Sequence, residues 1–139
     1  MKTGKKKVVF TNGCFDILHV GHVAYLKRAR ELGDALVVGL NSDSSVRAIK
    51  GKFRPVNNEA DRAIVLSALS FVDLITIFPE DTPERLIKAI KPDILAKGAD
   101  WKESDIAGAG FVKSYGGKVV RIPFVKGYST TSVIGKIGK

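Results

Sequence analysis

The sequence has little of what disulfides, metal clusters and membrane spans require. Its single cysteine, Cys14, excludes an internal disulfide and a cysteine-type zinc site, and only two histidines are present. No apolar run approaches the ~18–20 residues of a membrane-spanning helix. The basic residues 1–7 run into an apolar stretch that is too short for a secretory signal. We therefore expect a cytoplasmic protein.

Low-complexity segments and internal repeats are also missing, and the 139 residues fit one ordinary domain, expected over 1–139. An apolar fraction of 45% and a charged fraction of 27% are typical of a globular protein. The net charge of +9 favours anionic partners. Charge alone does not separate nucleic acid, nucleotide and phospho-sugar.

Hydrophobic periodicity predicts alternating strands and helices. The strands are expected over 7–11, 35–40, 72–78, 94–97 and 118–122, and the helices over 21–32, 43–49, 58–69, 82–90, 105–115 and 129–137. This alternation predicts an α/β fold, a Rossmann-like open five-stranded parallel sheet with helices on both faces. Ligands of such sheets bind beyond the carboxyl ends of the strands, where the strand order reverses. Core positions are predicted at Val23, Leu26, Ala29, Leu32, Ala60, Ala63, Ile64 and Leu66.

The loop after the first predicted strand carries the most informative motif. It has neither the Gly-x-Gly-x-x-Gly nor the Gly-Lys-Ser/Thr phosphate signature. Instead, His19 and His22 lie three residues apart at a helix start, which places both imidazoles on one side, and Gly21 leaves room for a ligand. A helix N-terminus favours an anion. An isolated histidine pair is more often a cap and a surface residue, but this context predicts a triphosphate site.

Two motifs carry a family resemblance. Gly13-Cys14-Phe15-Asp16 followed by His19-Val20-Gly21-His22 resembles the cytidylyltransferase-like nucleotidyltransferase superfamily, which has a Rossmann-like sheet and an HxGH motif. Near the other end, Gly127-Tyr128-Ser129-Thr130-Thr131 resembles the second signature of that superfamily, whose hydroxyl and N–H groups bind phosphate or ribose. Ser129 is also a plausible helix cap, which is compatible with that role.

Further segments are similar to the adenylyltransferase domain of heptose 1-phosphate adenylyltransferases. These segments are Asn41-Ser42-Asp43, Lys50-Gly51, Arg54-Pro55-Val56-Asn57, Glu80-Asp81-Thr82-Pro83, Lys97-Gly98-Ala99-Asp100 and Ile106-Ala107-Gly108. In many bacteria that domain is fused to a sugar kinase, and here it is expected to stand alone. Phe124 occupies a position where cytidylyltransferases carry arginine, which favours the heptose type.

The resemblance implies transfer of AMP from ATP to a heptose 1-phosphate, giving ADP-heptose and pyrophosphate, in lipopolysaccharide biosynthesis. The attacking phosphate oxygen is already anionic, so catalysis is expected to consist of positioning and charge neutralisation. Mg²⁺ is expected as the cofactor, held mainly by the nucleotide phosphates, and no protein ligand is assigned to it.

Site residues follow from the motifs and the resemblance. The expected catalytic residues are His19, His22, Lys50 and Arg62. The acceptor is expected to contact Asp16, Lys50, Arg54, Arg62 and Lys97. Nucleotide contacts are expected, besides the histidines, from Asn12, Gly13, Cys14, Phe15, Gly21, Gly98, Asp100, Gly127, Ser129, Thr130 and Thr131. Any single cation could instead be surface charge. Asp16 could accept loop N–H groups, and Trp101 could pack or stack on a base.

Other functions stay open. Within the superfamily they are a cytidylyltransferase using CTP, for example on glycerol 3-phosphate, and a flavin-type adenylyltransferase. A basic nucleotide- or nucleic-acid-binding module without catalysis is the alternative of another class. Both histidines and Ser129-Thr130-Thr131 are present together, and no basic stripe interleaved with aromatic residues appears, which argues against it. The expected partners are ATP and a sugar phosphate, without nucleic acid or membrane. The oligomeric state is open, a homodimer included.

Overall fold

The computed structural model describes residues 6–123. The strands are β1 (Val8–Gly13), β2 (Ala35–Asn41), β3 (Leu74–Phe78), β4 (Ile94–Gly98) and β5 (Lys118–Ile122). The helices are α1 (Val20–Glu31), α2 (Asp43–Lys50), α3 (Glu59–Ser67), α4 (Glu84–Ile90) and α5 (Ala109–Ser114). The helix predicted over 129–137 lies outside the described residues.

All five strands are parallel and lie in the order β3-β2-β1-β4-β5. β1 pairs with β2 from Val8 opposite Ala35 onward, and with β4 on its other side. The chain therefore builds the sheet outward from β1 in one direction and then restarts at β4. This arrangement confirms the predicted fold class and puts the reversal of strand order between β1 and β4.

The core lies on both faces of the sheet. Successive strand residues point to opposite faces, so Val9 packs with α1 and α3 while Phe10 packs with α4 and α5. The first face buries Leu26 and Ala29 of α1. Two layers of helices thus cover a sheet whose central strands are mostly buried. Within residues 6–123, none of the helices combines the length and the apolar character that a membrane span needs.

The buried face of α3 differs from the predicted one. Leu66 is buried as expected and Ala63 is half-buried, but Ala60 and Ile64 are exposed. Arg62 occupies the inward position one turn before Leu66 and is only 2% exposed. The prediction was wrong at two positions because apolar periodicity does not recognise an arginine that turns inward to hydrogen-bond partners.

The helix predicted over 105–115 is interrupted. A short 3₁₀ turn covers Glu103–Asp105, and α5 begins only at Ala109. Gly108 lies between them with φ of 84°, a left-handed conformation that favours glycine. A Cβ atom there would lie 2.8 Å from Ile87 Cδ1. The chain therefore bends sharply against α4, which brings the 3₁₀ turn toward the carboxyl edge of the sheet.

Acidic side chains occupy the amino-terminal edge of the sheet. Asp93 accepts the N–H of Val8 at 2.8 Å, and Asp73 accepts the N–H of Leu36 at 2.8 Å. These carboxylates accept the N–H groups of the first residue of β1 and the second residue of β2. At this edge, the protein's own side chains thus accept strand N–H groups, whereas the cavities described next lie at the carboxyl edge.

Candidate active site

Two adjoining cavities lie at the carboxyl edge of the sheet. The histidine cavity, about 260 Å³, contains His22 in its wall, and the aspartate cavity, about 320 Å³, contains Asp81 and Asp105 in its wall. The residues that line both cavities mark the junction between them. They are Asn12, Gly13, Cys14, Lys50, Lys97 and Trp101. The site thus lies where the strand order reverses, as predicted.

Each cavity also has lining residues of its own. The histidine cavity adds Phe15, His22, Tyr25, Gly98 and Asp100. The aspartate cavity adds Asn41, Ile49, Asp81, Thr82, Pro83, Asp105, Ile106 and Ala107. The loops after β1, β2, β3 and β4 all contribute, so four segments distant in sequence form one two-part site.

The two histidines lie on one side of the first turn of α1, which confirms the expectation from their spacing. Their rings stack with centroids 3.9 Å apart and planes at 22°. His19 is the N-cap residue, with φ of −142°, but its side chain makes no capping hydrogen bond. The cap explanation therefore describes its backbone position and not the function of its imidazole.

Burial, together with the neighbouring His19 and Lys50, lowers the pKa of His22 to about 4, against an opposing hydrogen bond to the Ile17 backbone. Burial also lowers the pKa of His19. Both rings are therefore neutral at pH 7 in the free protein. A neutral imidazole keeps one N–H donor, and an approaching phosphate favours its protonated form.

The turn before the histidines is shaped by Gly13 and Phe15. Phe15 has φ of 45°, which is uncommon for a bulky residue. Its buried ring meets His22 edge-on at 5.2 Å, and a Cβ atom at Gly13 would lie 2.8 Å from Phe15 Cε2. Phe15 thus supports the His22 ring, and Gly13 makes room for Phe15.

Asp16 lies inside the protein instead of at the ligand surface. Its carboxylate accepts the N–H groups of Val56 and Asn57, each at 2.8 Å, and Arg54 Nε at 2.9 Å. Burial by itself raises the pKa of Asp16, but these three donors together hold it below its ordinary value. Its side chain is 0% exposed, so the expected acceptor contact is corrected and the alternative role, accepting loop N–H groups, is confirmed.

Arg62 is likewise turned inward, which corrects its expected role as a phosphate-binding catalytic residue. Its Nη1 donates to the carbonyl oxygens of Cys14 and Asn41 at 2.8 Å, and Nη2 donates to Asp43 at 2.8 Å. Nε donates to the carbonyl of Asn57 at 2.9 Å. The guanidinium joins the loops after β1, β2 and α2, so Arg62 is a positioning residue.

Arg54 is partly engaged by the protein and partly available to a ligand. Its Nε is bound to Asp16, and its side chain is 15% exposed. Its Nη2 is buried and has no hydrogen-bond partner within the described part of the chain. Arg54 therefore keeps a donor that could reach a ligand, and its contact with the acceptor stays a prediction.

Lys50 and Lys97 line both cavities. This is the position expected of cations that contact two anionic ligands. Lys50 is the exposed last residue of α2, and Lys97 Nζ lies 3.4 Å from Asn12 Oδ1 and 4.9 Å from the centre of the Trp101 ring. Burial lowers the pKa of Lys97, opposed by Cys14 and Asp100. Both lysines are placed where the cavities meet.

Cys14 also faces the junction. Burial raises the pKa of its thiol, against the opposing charges of Lys50, Arg62, Lys97 and Arg54. Raising the pKa favours the protonated thiol, which is a poor nucleophile. The thiol of Cys14 is therefore poorly suited to act as a nucleophile at pH 7.

The comparisons with known proteins agree with this geometry. A family model described as cytidylyltransferase-like matches residues 10–135. The chain belongs to the cytidylyltransferase-like family. It is a nucleotidyltransferase, which confirms the class of enzyme expected from the sequence.

The chain is similar to larger curated relatives. It is 63% identical over 134 residues to the bifunctional protein HldE of Campylobacter concisus, which covers 96% of this chain and 28% of that protein. It is 55% identical over 136 residues to the bifunctional protein HldE of Geobacter metallireducens, covering 98% of this chain and 28% of that protein. The chain therefore spans little more than a quarter of the length of these relatives.

Solved structures share the fold. The lipopolysaccharide core biosynthesis protein of Thermoplasma volcanium matches with a TM-score of 0.75 and 34% identity, covering 87% of this chain and 99% of that one. Pantoate-beta-alanine ligase of Francisella tularensis matches with a TM-score of 0.65 and 17% identity, covering 96% of this chain and 66% of that one. The second match shows the fold alone.

Some residues of this cytidylyltransferase-like site were not predicted. Tyr25 lines the histidine cavity and its hydroxyl bonds Thr11 Oγ1 at 2.6 Å, while burial raises its pKa to about 12. It lies three residues after His22, so the helical period that paired the histidines could have found it. Asp81 lies in the family-like segment Glu80-Asp81-Thr82-Pro83, but no role was predicted for it. Asp105 lies in none of the family-like segments, and only the tertiary structure brings it to the same cavity as Asp81.

Two expectations around β4 can be refined. The space that a Cβ atom of Gly98 would fill is taken by Asp100 Oδ1, 2.6 Å away, so this glycine makes room for the carboxylate, and its contact with the nucleotide stays a prediction. Trp101 is 43% exposed and lines both cavities, which favours ligand contact over packing. The predicted residues Gly127, Ser129, Thr130 and Thr131, and Phe124, lie outside the described residues.

Proposed function

We propose that this chain transfers AMP from ATP to heptose 1-phosphate, giving ADP-heptose and pyrophosphate. The observation that carries the proposal is the pair of adjoining cavities sharing Lys50 and Lys97, with the histidine pair beside one of them. Two separate ligand spaces with cations at their junction suit the joining of two phosphorylated molecules. The similarity to a lipopolysaccharide core biosynthesis protein supports a sugar acceptor.

The chemistry follows from charge. A phosphate oxygen of the acceptor forms a bond to the α-phosphorus of ATP, the bond from that phosphorus to the bridging oxygen breaks, and pyrophosphate leaves with the electron pair. The nucleophile needs no general base. His19 and His22 are suited to donate hydrogen bonds to the phosphate oxygens as charge develops, while Lys50 and Lys97 hold the two anions together.

Mg²⁺ remains part of the proposal. Within residues 6–123, no three histidine, cysteine, aspartate or glutamate side chains form a cluster that could hold a metal ion. Mg²⁺ in nucleotide enzymes is bound largely by phosphates, water and one or two carboxylates, so the residues around the cavities fit an ion delivered with ATP. When bound, it would neutralise phosphate charge.

The test is a panel of substrates with pyrophosphate release as the readout. ATP and CTP are each supplied at limiting concentration with heptose 1-phosphate, mannose 1-phosphate or glycerol 3-phosphate at saturation. A mismatched base edge leaves buried polar groups unpaired, which costs about 1–3 kcal/mol each and predicts a preference for ATP of about tenfold or more in kcat/KM. A preference for CTP, or activity with glycerol 3-phosphate alone, would contradict the proposal.

We infer further that residues 1–139 form one domain, that the chain acts in the cytoplasm, and that it forms a homodimer. β3 is an edge strand, and Leu74 and Ile77 on it are exposed beside Ile64 of α3. The groove between β3 and α3, about 380 Å³, has no lysine or arginine in its lining, so two chains of charge +9 could meet there without opposing cations.

Light scattering on the full chain tests the dimer. The wild type should have the mass of two chains, and Leu74→Glu should have the mass of one, because a buried unpaired charge opposes association. A monomeric wild type would contradict the inference.

A further inference from the structure

The aspartate cavity is lined by both cations and carboxylates. Lys50 and Lys97 line both cavities and therefore lie at the junction. Asp81 and Asp105 line the aspartate cavity and not the histidine cavity. A ligand in the aspartate cavity therefore meets cations where the two cavities join and carboxylates elsewhere in the wall.

The two carboxylates arrive from separate segments. Asp81 lies in the loop after β3, and Asp105 ends the 3₁₀ turn that follows β4. Both residues are exposed, and no ion pair or hydrogen bond to the protein engages either carboxylate among residues 6–123. Both therefore keep their acceptor capacity for a ligand.

This distribution of charge discriminates between the two substrates. A triphosphate placed in the aspartate cavity would bring several negative charges among two carboxylates, which is unfavourable. A polyol with one phosphate fits better, because its phosphate meets the lysines and its hydroxyl groups donate to the carboxylates. The exposed Trp101 ring at the junction adds an apolar surface for a sugar ring.

We propose that the aspartate cavity is the acceptor subsite and that Asp81 and Asp105 select a polyhydroxylated acceptor by accepting hydrogen bonds from its hydroxyl groups. The acceptor phosphate then points toward Lys50 and Lys97, beside the histidine cavity. This assignment rests on the proposed function and specifies how the sugar is recognised and oriented. Asp81 and Asp105 thus determine specificity without acting on phosphorus.

The test compares Asp81→Asn and Asp105→Asn with wild type in the full chain. KM for heptose 1-phosphate is measured at saturating ATP, and KM for ATP at saturating heptose 1-phosphate. Each variant should raise the acceptor KM about 10- to 100-fold, the range for losing a hydrogen bond to a charged group, with the KM for ATP unchanged. Asp61→Asn removes an exposed carboxylate from α3, away from both cavities, and should leave both KM values unchanged.

The failures of the two proposals are distinguishable. If wild type uses heptose 1-phosphate and both variants keep its acceptor KM, the subsite is overturned while the function stands. A rise in the KM for ATP in place of the acceptor KM would assign the cavity to the nucleotide and also overturn it. If wild type turns over no sugar 1-phosphate, the proposed function fails and the acceptor subsite fails with it.

Discussion

Two groups of cations lie at the same edge of the sheet and differ in what surrounds them. Arg62 is buried and donates to three backbone carbonyls and Asp43, and Arg54 Nε is bound to the buried Asp16. Lys50 and Lys97 instead line two cavities. A cation that already has protein acceptors holds loops in place, whereas one at a cavity wall is available to a ligand. Positive charge alone does not separate these roles.

The largest effect is expected for His19 and His22, which lie beside the cavities that Lys50 and Lys97 line. His22→Ala or His19→Ala should lower kcat about 10²–10³-fold, the range for losing one donor to a charged transition state. The measurement is single-turnover pyrophosphate release at saturating substrates. Wild-type turnover in either variant would remove the central assignment.

The melting temperatures of His19→Ala and His22→Ala serve as the control for the kinetic measurement. Their melting temperatures should fall less than that of Arg62→Met, because the imidazoles do not join separate loops. A large loss of stability with no change in the kcat of the folded fraction would place the histidines with the structural group.

For the buried cation Arg62, we predict that substitution lowers the stability of the fold. Arg62→Met should lower the free energy of unfolding by about 3 kcal/mol, near the lower end of the range for breaking a buried ion pair, because Asp43 is 27% exposed. Urea denaturation measures the change. Arg85→Met is the matched control, since Arg85 is 88% exposed in its ion pair with Glu80 and such pairs contribute about 1 kcal/mol or less.

An Arg62 variant of normal stability that has lost turnover would break the comparison. It would restore Arg62 to the phosphate-binding role that the sequence predicted and would require its guanidinium to leave its buried partners.

A smaller effect is expected for Lys50 at the cavity junction. Lys50→Met should lower kcat/KM about 10- to 100-fold by removing charge-assisted hydrogen bonds to phosphate, with little change in stability. Lys52→Met is the matched control, because Lys52 lies two residues after Lys50, near Phe53, and lines neither cavity. Equal losses in the two variants would mean that general positive charge, and not the position of Lys50, matters.

The smallest effect concerns pH. The pKa of His22 is about 4 in the folded protein and about 6.5 in the unfolded chain. As pH falls from 6.5 to 4, the unfolded chain binds a proton that the folded protein does not, so stability is lost in that window. His22→Gln should therefore show a smaller fall in melting temperature across it, by a few degrees. Parallel curves for the two proteins would contradict the low pKa.

Several strand and helix positions were predictable because they depend on local patterning. Apolar runs predicted all five strands, and β5 was placed at its observed bounds. The spacing of His19 and His22 predicted that both imidazoles lie on one side of the first turn of α1. The interruption before α5 and the inward turn of Arg62 were not predictable, because Ile87 packs against Gly108 and the acceptors of Arg62 come from separate loops.

The sequence by itself determined the α/β class, the position of the site after β1 and the family resemblance, since each depends on residues close together in the chain. Only the tertiary structure decided which cations face a ligand and that Asp81 and Asp105 share a cavity. The physical reason is that hydrogen-bond partners and cavity walls are set by segments far apart in sequence. Asp16 and Asn57, 41 residues apart, meet because the loop after α2 folds back onto the loop after β1.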